Sequence, residues 1–176
     1  MRICLIGALA LLAFAAPASA FTPTISEFTS GLTTADNPFD VAPGPDGNLW
    51  FTDAGAAHAI GRITTAGTIT KFTVGLPSGS SPLFITAGPD GNLWFTDAGA
   101  TPAIGRIGTG GHMDEFTSHL NAGSSPNAIT AGPDGNLWFT DQGTTPAIGH
   151  IDPAGNIHEF DLTAGASPAG IAAGPD

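Results

Sequence analysis

Apolar and polar positions along this chain fall into short runs, and the runs return at a fixed spacing. In Asn92-Leu93-Trp94-Phe95-Thr96 three large apolar residues stand side by side between polar ones. In a strand Leu93 and Phe95 face one side and Trp94 the other, so both faces of the sheet are apolar. A sheet with one wet face would alternate instead. Upstream, Phe84-Ile85-Thr86-Ala87 predicts a first strand. It enters Pro89-Asp90-Gly91, where proline pre-sets one turn dihedral and Asp-Gly supplies the positive φ of a hairpin. Downstream, the small-residue loop Asp97-Ala98-Gly99-Ala100 leads to a third strand, Ala103-Ile104-Gly105-Arg106-Ile107, and a glycine turn leads to a fourth, Met113-Asp114-Glu115-Phe116.

The whole pattern repeats every 44 residues. Gly44-Pro45-Asp46-Gly47-Asn48-Leu49-Trp50-Phe51-Thr52-Asp53 returns unchanged at Gly88–Asp97 and at Gly132–Asp141. Pro38, Pro82 and Pro126 keep the same step, as do Phe28, Phe72, Phe116 and Phe160. Four strands in about 44 residues is the size of a propeller blade. The reading is an all-β propeller of four-stranded blades, with complete units at 38–72, 82–116 and 126–160. Partial units at both ends include a last strand at Ile25–Phe28 and a first strand at Ala169–Ala173. A β-solenoid is the rival architecture, with rungs that are usually shorter. About three and a half blades do not close a ring of ~4 to 8. The expectation is therefore a truncated product, with two chains completing one ring as the alternative and self-association through open blade edges as the consequence.

The N-terminus changes the domain picture. Arg2, an apolar run from Ile3 to Ala16, and Pro17-Ala18-Ser19-Ala20 have the order of a secretory signal, cleaved before Phe21. That divides the chain into a signal peptide at 1–20 and a partial propeller at 21–176, secreted or periplasmic, with no membrane attachment after cleavage. The single cysteine, Cys4, leaves with the signal, so the mature chain forms no disulfide. Arg62, Lys71 and Arg106 then stand against fifteen carboxylates, which excludes attraction to nucleic-acid phosphate.

Candidate chemistry is sparse. Asp53, Asp97 and Asp141 recur at the end of the second strand and are weak candidates for a Mg or Ca site. The structural alternative is that each caps its own loop by accepting backbone N–H groups. Asp46, Asp90 and Asp134 are accounted for by their hairpins. His58, His112, His119, His150 and His158 occupy different positions in the unit and have no metal-binding spacing. Arg62 and Arg106, with His150 in the third copy, could meet an anionic ligand or pair with nearby carboxylates at the outer rim of a blade. No P-loop, dinucleotide fingerprint or Gly-x-Ser-x-Gly elbow is present.

The Gly-Pro-Asp-Gly-Asn-Leu-Trp-Phe-Thr-Asp block, followed by Ala-Ile-Gly-Arg-Ile and a terminal Phe, resembles the repeat of the virginiamycin B lyase (streptogramin lyase) family over nearly all of the mature chain. The resemblance implies a seven-bladed parent, with about twice the blades seen here, and a Mg-dependent elimination that opens cyclic streptogramin B antibiotics at their ester bond. It implies catalytic histidines directly after the first-strand proline of two adjacent blades, and a glutamate before that proline in one. The matching positions here are Phe39, Leu83, Asn127 and Ala169 after it, and Asn37, Ser81, Ser125 and Ser167 before it. None can take a proton beside a carbonyl. The expectation is a non-catalytic scaffold or ligand-binding surface of unknown small-molecule specificity, with no cofactor evident and Mg relevant only if the parent is an active lyase. The alternatives are a carbon–oxygen lyase with its site in later blades and a lactonase-type hydrolase on a related propeller.

Overall fold

A computed structural model describes residues 25–174, so the signal at 1–20 lies outside the described residues. The first unit forms β1 (Pro38–Pro43), β2 (Leu49–Asp53), β3 (Ala59–Ile63) and β4 (Ile69–Phe72). The second forms β5 (Pro82–Ala87), β6 (Leu93–Asp97), β7 (Ala103–Ile107) and β8 (Met113–Phe116). The third forms β9 (Pro126–Ala131), β10 (Leu137–Asp141), β11 (Ala147–Ile151) and β12 (Ile157–Asp161). Each unit is a separate four-stranded antiparallel sheet with its strands in sequence order, the expected blade. Neighbouring blades touch along their first strands, β1 against β5 and β5 against β9, so the sheets fan outward from that inner edge.

The two apolar faces of each blade pair front to back. Trp50 and Ile60 pack against Leu93, Phe95 and Ile107 of the second blade, and Trp94 and Ile104 pack against Leu137, Phe139 and Ile151 of the third. Leu93, Trp94 and Phe95 are all fully buried, which is the two-sided burial that three adjacent apolar residues require. The outermost faces are open: Phe39, Val41 and Leu49 are exposed on the first blade and Phe160 on the third. Glycine at 61, 105 and 149 is obligatory, because a Cβ there would enter the ring of Phe51, Phe95 or Phe139 on the adjoining strand.

One expectation needs correction. Ile25–Phe28 and Ala169–Ala173 are not strands, because neither has a ladder partner among the described residues. Phe28 nevertheless keeps its repeat position, lying over Gly67 as Phe72 lies over Gly111 and Phe116 over Gly155. In the first hairpin of each blade the positive φ belongs to Gly47, Gly91 and Gly135 alone, while the preceding aspartates keep negative φ. The Gly47 N–H bonds back to the Gly44 carbonyl, closing a turn that is followed by a left-handed glycine.

Candidate functional site

The inner rim at the start of β1, β5 and β9 is where the sequence placed the candidate positions, and three side-chain devices build it. The first is a bulge. Pairing between β1 and β2 shifts between Pro38 and Val41, that between β5 and β6 between Pro82 and Ile85, and β9 repeats the shift opposite Phe139 and Asp141. A bulge re-aims the residues within it and is favoured beside functional sites. Phe39, Leu83 and Asn127 lie in these bulges.

The second device is the buried threonine of each second strand. The N–H groups of Asp40, Phe84 and Ala128, freed from the ladder by the bulge, donate to the Oγ1 atoms of Thr52, Thr96 and Thr140 at 3.1, 3.2 and 3.0 Å. The Thr52 hydroxyl in turn donates to the Leu83 carbonyl of the next blade, and the Thr96 hydroxyl to the Asn127 carbonyl. One hydroxyl thus completes its own blade's bulge and fixes the rim residue of its neighbour. Sequence reasoning missed this role, because the partner carbonyl belongs to the following blade.

The third device is the aspartate that ends each second strand. Asp53 Oδ1 accepts the N–H of Asn37 at 2.8 Å and of Gly55 at 2.9 Å. Asp97 Oδ1 takes Ser81 and Gly99, and Asp141 Oδ1 takes Ser125 and Gly143, all at 2.7 Å. These fully buried carboxylates therefore clamp the residue before the rim proline as well as their own loop. Their Oδ1 atoms are committed to the backbone. The only carboxylate of the innermost strands, Asp40, accepts the N–H of Ile85 at 2.9 Å. No cluster of three His, Cys, Asp or Glu side chains suited to a metal ion occurs among the described residues. The residues at the described rim do not fit the Mg ion that the family resemblance implies. Ala169 contributes a carbonyl that accepts from Asn127 Nδ2 at 3.0 Å, and the Ser167-Pro168 segment meets Gln142, whose Nε2 donates to the Pro168 carbonyl at 3.0 Å.

The remaining candidates resolve into structural roles. Asp46 Oδ1 accepts the indole N–H of Trp50 at 3.0 Å while its Oδ2 accepts from the Asn48 amide at 2.8 Å. Asp90 does the same for Trp94 and Asn92, and Asp134 for Trp138 and Asn136. At Asp46 and Asp90 burial acts to raise the pKa, but the bonds from asparagine and tryptophan outweigh it and hold the carboxyl below its usual value. Arg62 lies over Trp50 and Phe72 and donates to the Thr109 carbonyl, while Arg106 lies over Trp94 and Phe116, pairs with Asp114 at 2.8 Å and reaches the Pro153 carbonyl. Each guanidinium braces the next blade. In the third blade His150 takes that place against Trp138. The scattered histidines include one spatial pair that spacing did not show: His150 and His158 stand opposite each other on β11 and β12, ring centroids 5.6 Å apart.

The family model for the virginiamycin B lyase family matches residues 21–176. No curated protein matches the chain. A solved streptogramin B lyase is 39% identical with a TM-score of 0.70, the alignment covering 79% of this chain and 45% of that one. A gluconolactonase from Xanthomonas campestris is 19% identical with a TM-score of 0.57, covering 73% of this chain and 48% of its own. The extracellular domain of a hybrid two component system from B. thetaiotaomicron is 12% identical with a TM-score of 0.57, covering 73% of this chain and 17% of its own. The last two likenesses establish the fold alone. The chain thus spans less than half the length of the streptogramin B lyase it matches.

Proposed function

Because the chain belongs to the virginiamycin B lyase family, we propose that its three described blades are the scaffold side of an exported, streptogramin-lyase-like propeller, presenting a ligand-facing rim rather than the chemistry. The observation that carries this reading is the identity of the rim. Phe39, Leu83 and Asn127 stand in the bulges, and none can abstract a proton adjacent to a carbonyl. Incubating the purified chain with a cyclic streptogramin B depsipeptide should give no ring opening above the uncatalysed rate; turnover by this chain would overturn the proposal. Export is tested by the N-terminus of the secreted product, expected at Phe21.

The 39% identity to streptogramin B lyase favours a second reading for any longer propeller that carries these blades. It would be a carbon–oxygen lyase whose base and Mg ion reside in other blades. Mass spectrometry separates the chemistries. Elimination opens the ring without changing mass, because the proton lost from carbon ends on the released carboxyl group. A lactonase-type hydrolysis adds one water.

A further inference from the structure

Three residues hold the same register position in the fourth strands: Lys71 opposite Gly61, Glu115 opposite Gly105 and Glu159 opposite Gly149. Residues on one face of neighbouring strands stack above one another. Opposite the second-strand aspartate the third strand carries only alanine, at 59, 103 and 147, which lets the fourth-strand side chain approach that carboxylate. In the first blade Lys71 Nζ meets Asp53 Oδ2 at 3.0 Å and also Asp36. That ammonium balances a carboxylate with no solvent exposure. Burial works against its charge, but Asp36 and Asp53 outweigh it and the Lys71 pKa is raised.

The second and third blades have no such cation. The strand register sets Glu115 on the same face as Asp97 and Glu159 on the same face as Asp141, and in each pair the aspartate opposes the charge of the glutamate. Asp97 and Asp141 are completely buried, and their Oδ2 atoms, like Glu115 Oε1 and Glu159 Oε1, have no donor from any other group. Glu115 and Glu159 are half-buried, but with these oxygens sealed from water beside a buried carboxylate the neutral form of the glutamate is favoured. We infer that Glu115 and Glu159 are protonated carboxyls, each set against the buried aspartate of its own blade where the first blade holds an ammonium, and that losing this proton loosens the second and third blades.

Among the described residues the surroundings offer no counter-charge. Asp97 is the ionisable group facing Glu115, and Asp141 and Asp161 face Glu159. The crossover 73–81 has no ionisable side chain, and the crossover 117–125 has His119. His58 lines the cleft beside the first of these crossovers. Arg62 and Arg106 of the facing blades reach Thr109 and Pro153, in turns at the opposite end of the strands, and Asp40 is engaged by Ile85. The Asn121 N–H bonds Glu159 at 2.6 Å, whereas the matching residue above Glu115 is Pro77, which has no N–H to give. Burial first, and the neighbouring aspartate second, raise Glu115 to about 7, and Glu159 is likewise raised to about 7.

The sign follows from linkage. The folded protein binds a proton at each pair that the unfolded chain releases near the usual glutamate value of 4.5. The contribution of the two glutamates to stability is therefore full below about that pH and declines until about 7, where they ionise in the folded protein. The unfolding constant of the 176-residue chain should rise by up to about tenfold per pH unit for each pair across that window. Glu115→Gln combined with Glu159→Gln keeps a neutral donor and should flatten the rise. Infrared difference spectra of the wild-type chain provide a readout independent of variant folding, with the carboxylic-acid carbonyl band expected to fade on going from pH 6 to pH 8. A pH-independent unfolding constant, an equal slope in the double variant, or no such band would overturn the inference. So would rescue of stability at pH 8 by millimolar Ca or Mg, since the pairs would then hold a metal ion rather than a proton.

Discussion

At the scale of single residues, the repeated decapeptide is a set of side-chain bonds in which the polar residues hold backbone groups, an indole and one another. Asp90 receives three donors: the Asn92 N–H, the Asn92 amide and the Trp94 indole. Trp94 has no solvent exposure, but Asp90 itself is exposed, so water can reach the indole N–H once the carboxylate is removed. Asp90→Ala should destabilise the chain by ~0.5–1.5 kcal/mol, the net contribution of a hydrogen bond whose donor water can partly satisfy. Asp90→Asn should cost less, because its carbonyl can still accept from the indole. Urea unfolding followed by tryptophan fluorescence measures both, and an alanine variant as stable as wild type would show that the indole bond contributes nothing.

At the scale of strands and blades, much of the fold was legible because its cause is local and repeated. Leu93-Trp94-Phe95 needs two dry faces, Pro89-Asp90-Gly91 turns the chain, and the step of 44 residues fixes the unit. What escaped was written between blades. Thr96 looks like an ordinary strand residue until the Asn127 carbonyl, 31 positions on, comes within reach of its hydroxyl. The change from Lys71 to Glu115 and Glu159 is plain in the sequence, yet its meaning depends on Asp53, Asp97 and Asp141 lying across a small-residue strand. The positions beside the first-strand proline can be read from the repeat, while the bulges in which Phe39, Leu83 and Asn127 lie carry no sequence mark beyond that proline. Blade packing also separates two identical motifs. Trp94 is sealed against the third blade, whereas Trp138, in the same decapeptide, is only half-buried beside the exposed Phe160. Trp94→Ala should cost ~3–5 kcal/mol, the usual range for a large aromatic removed from a core. Trp138→Ala should cost distinctly less, by the same denaturant measurement; equal losses would mean that the open face of the third blade is covered in solution.

At the scale of the whole molecule, fifteen carboxylates stand against four basic residues, and two groups of acids make stability respond to pH in opposite senses. Asp36 is held below its usual value of 3.8 chiefly by Lys71, Asp114 by Arg106, Asp134 by Asn136 and Trp138, and Asp152 by Asn156. Asp46 and Asp90 join them through their asparagine and tryptophan donors, despite the opposing effect of burial. A carboxyl with a depressed folded pKa contributes stability that is present above its unfolded value and lost as pH falls through the folded one. These six therefore favour the folded chain above about pH 4 and give it up in acid. Glu115 and Glu159 act the other way, their contribution declining from about 4.5 to about 7. The thermal midpoint should consequently peak between about pH 4 and pH 5 and fall on both sides. Replacing both glutamates by glutamine should remove the decline toward neutral pH and leave the acid limb in place, because the six aspartates are untouched. An acid limb that vanished with the two glutamates would mean that the aspartate bonds to asparagine, tryptophan and the basic side chains do not govern the low-pH response.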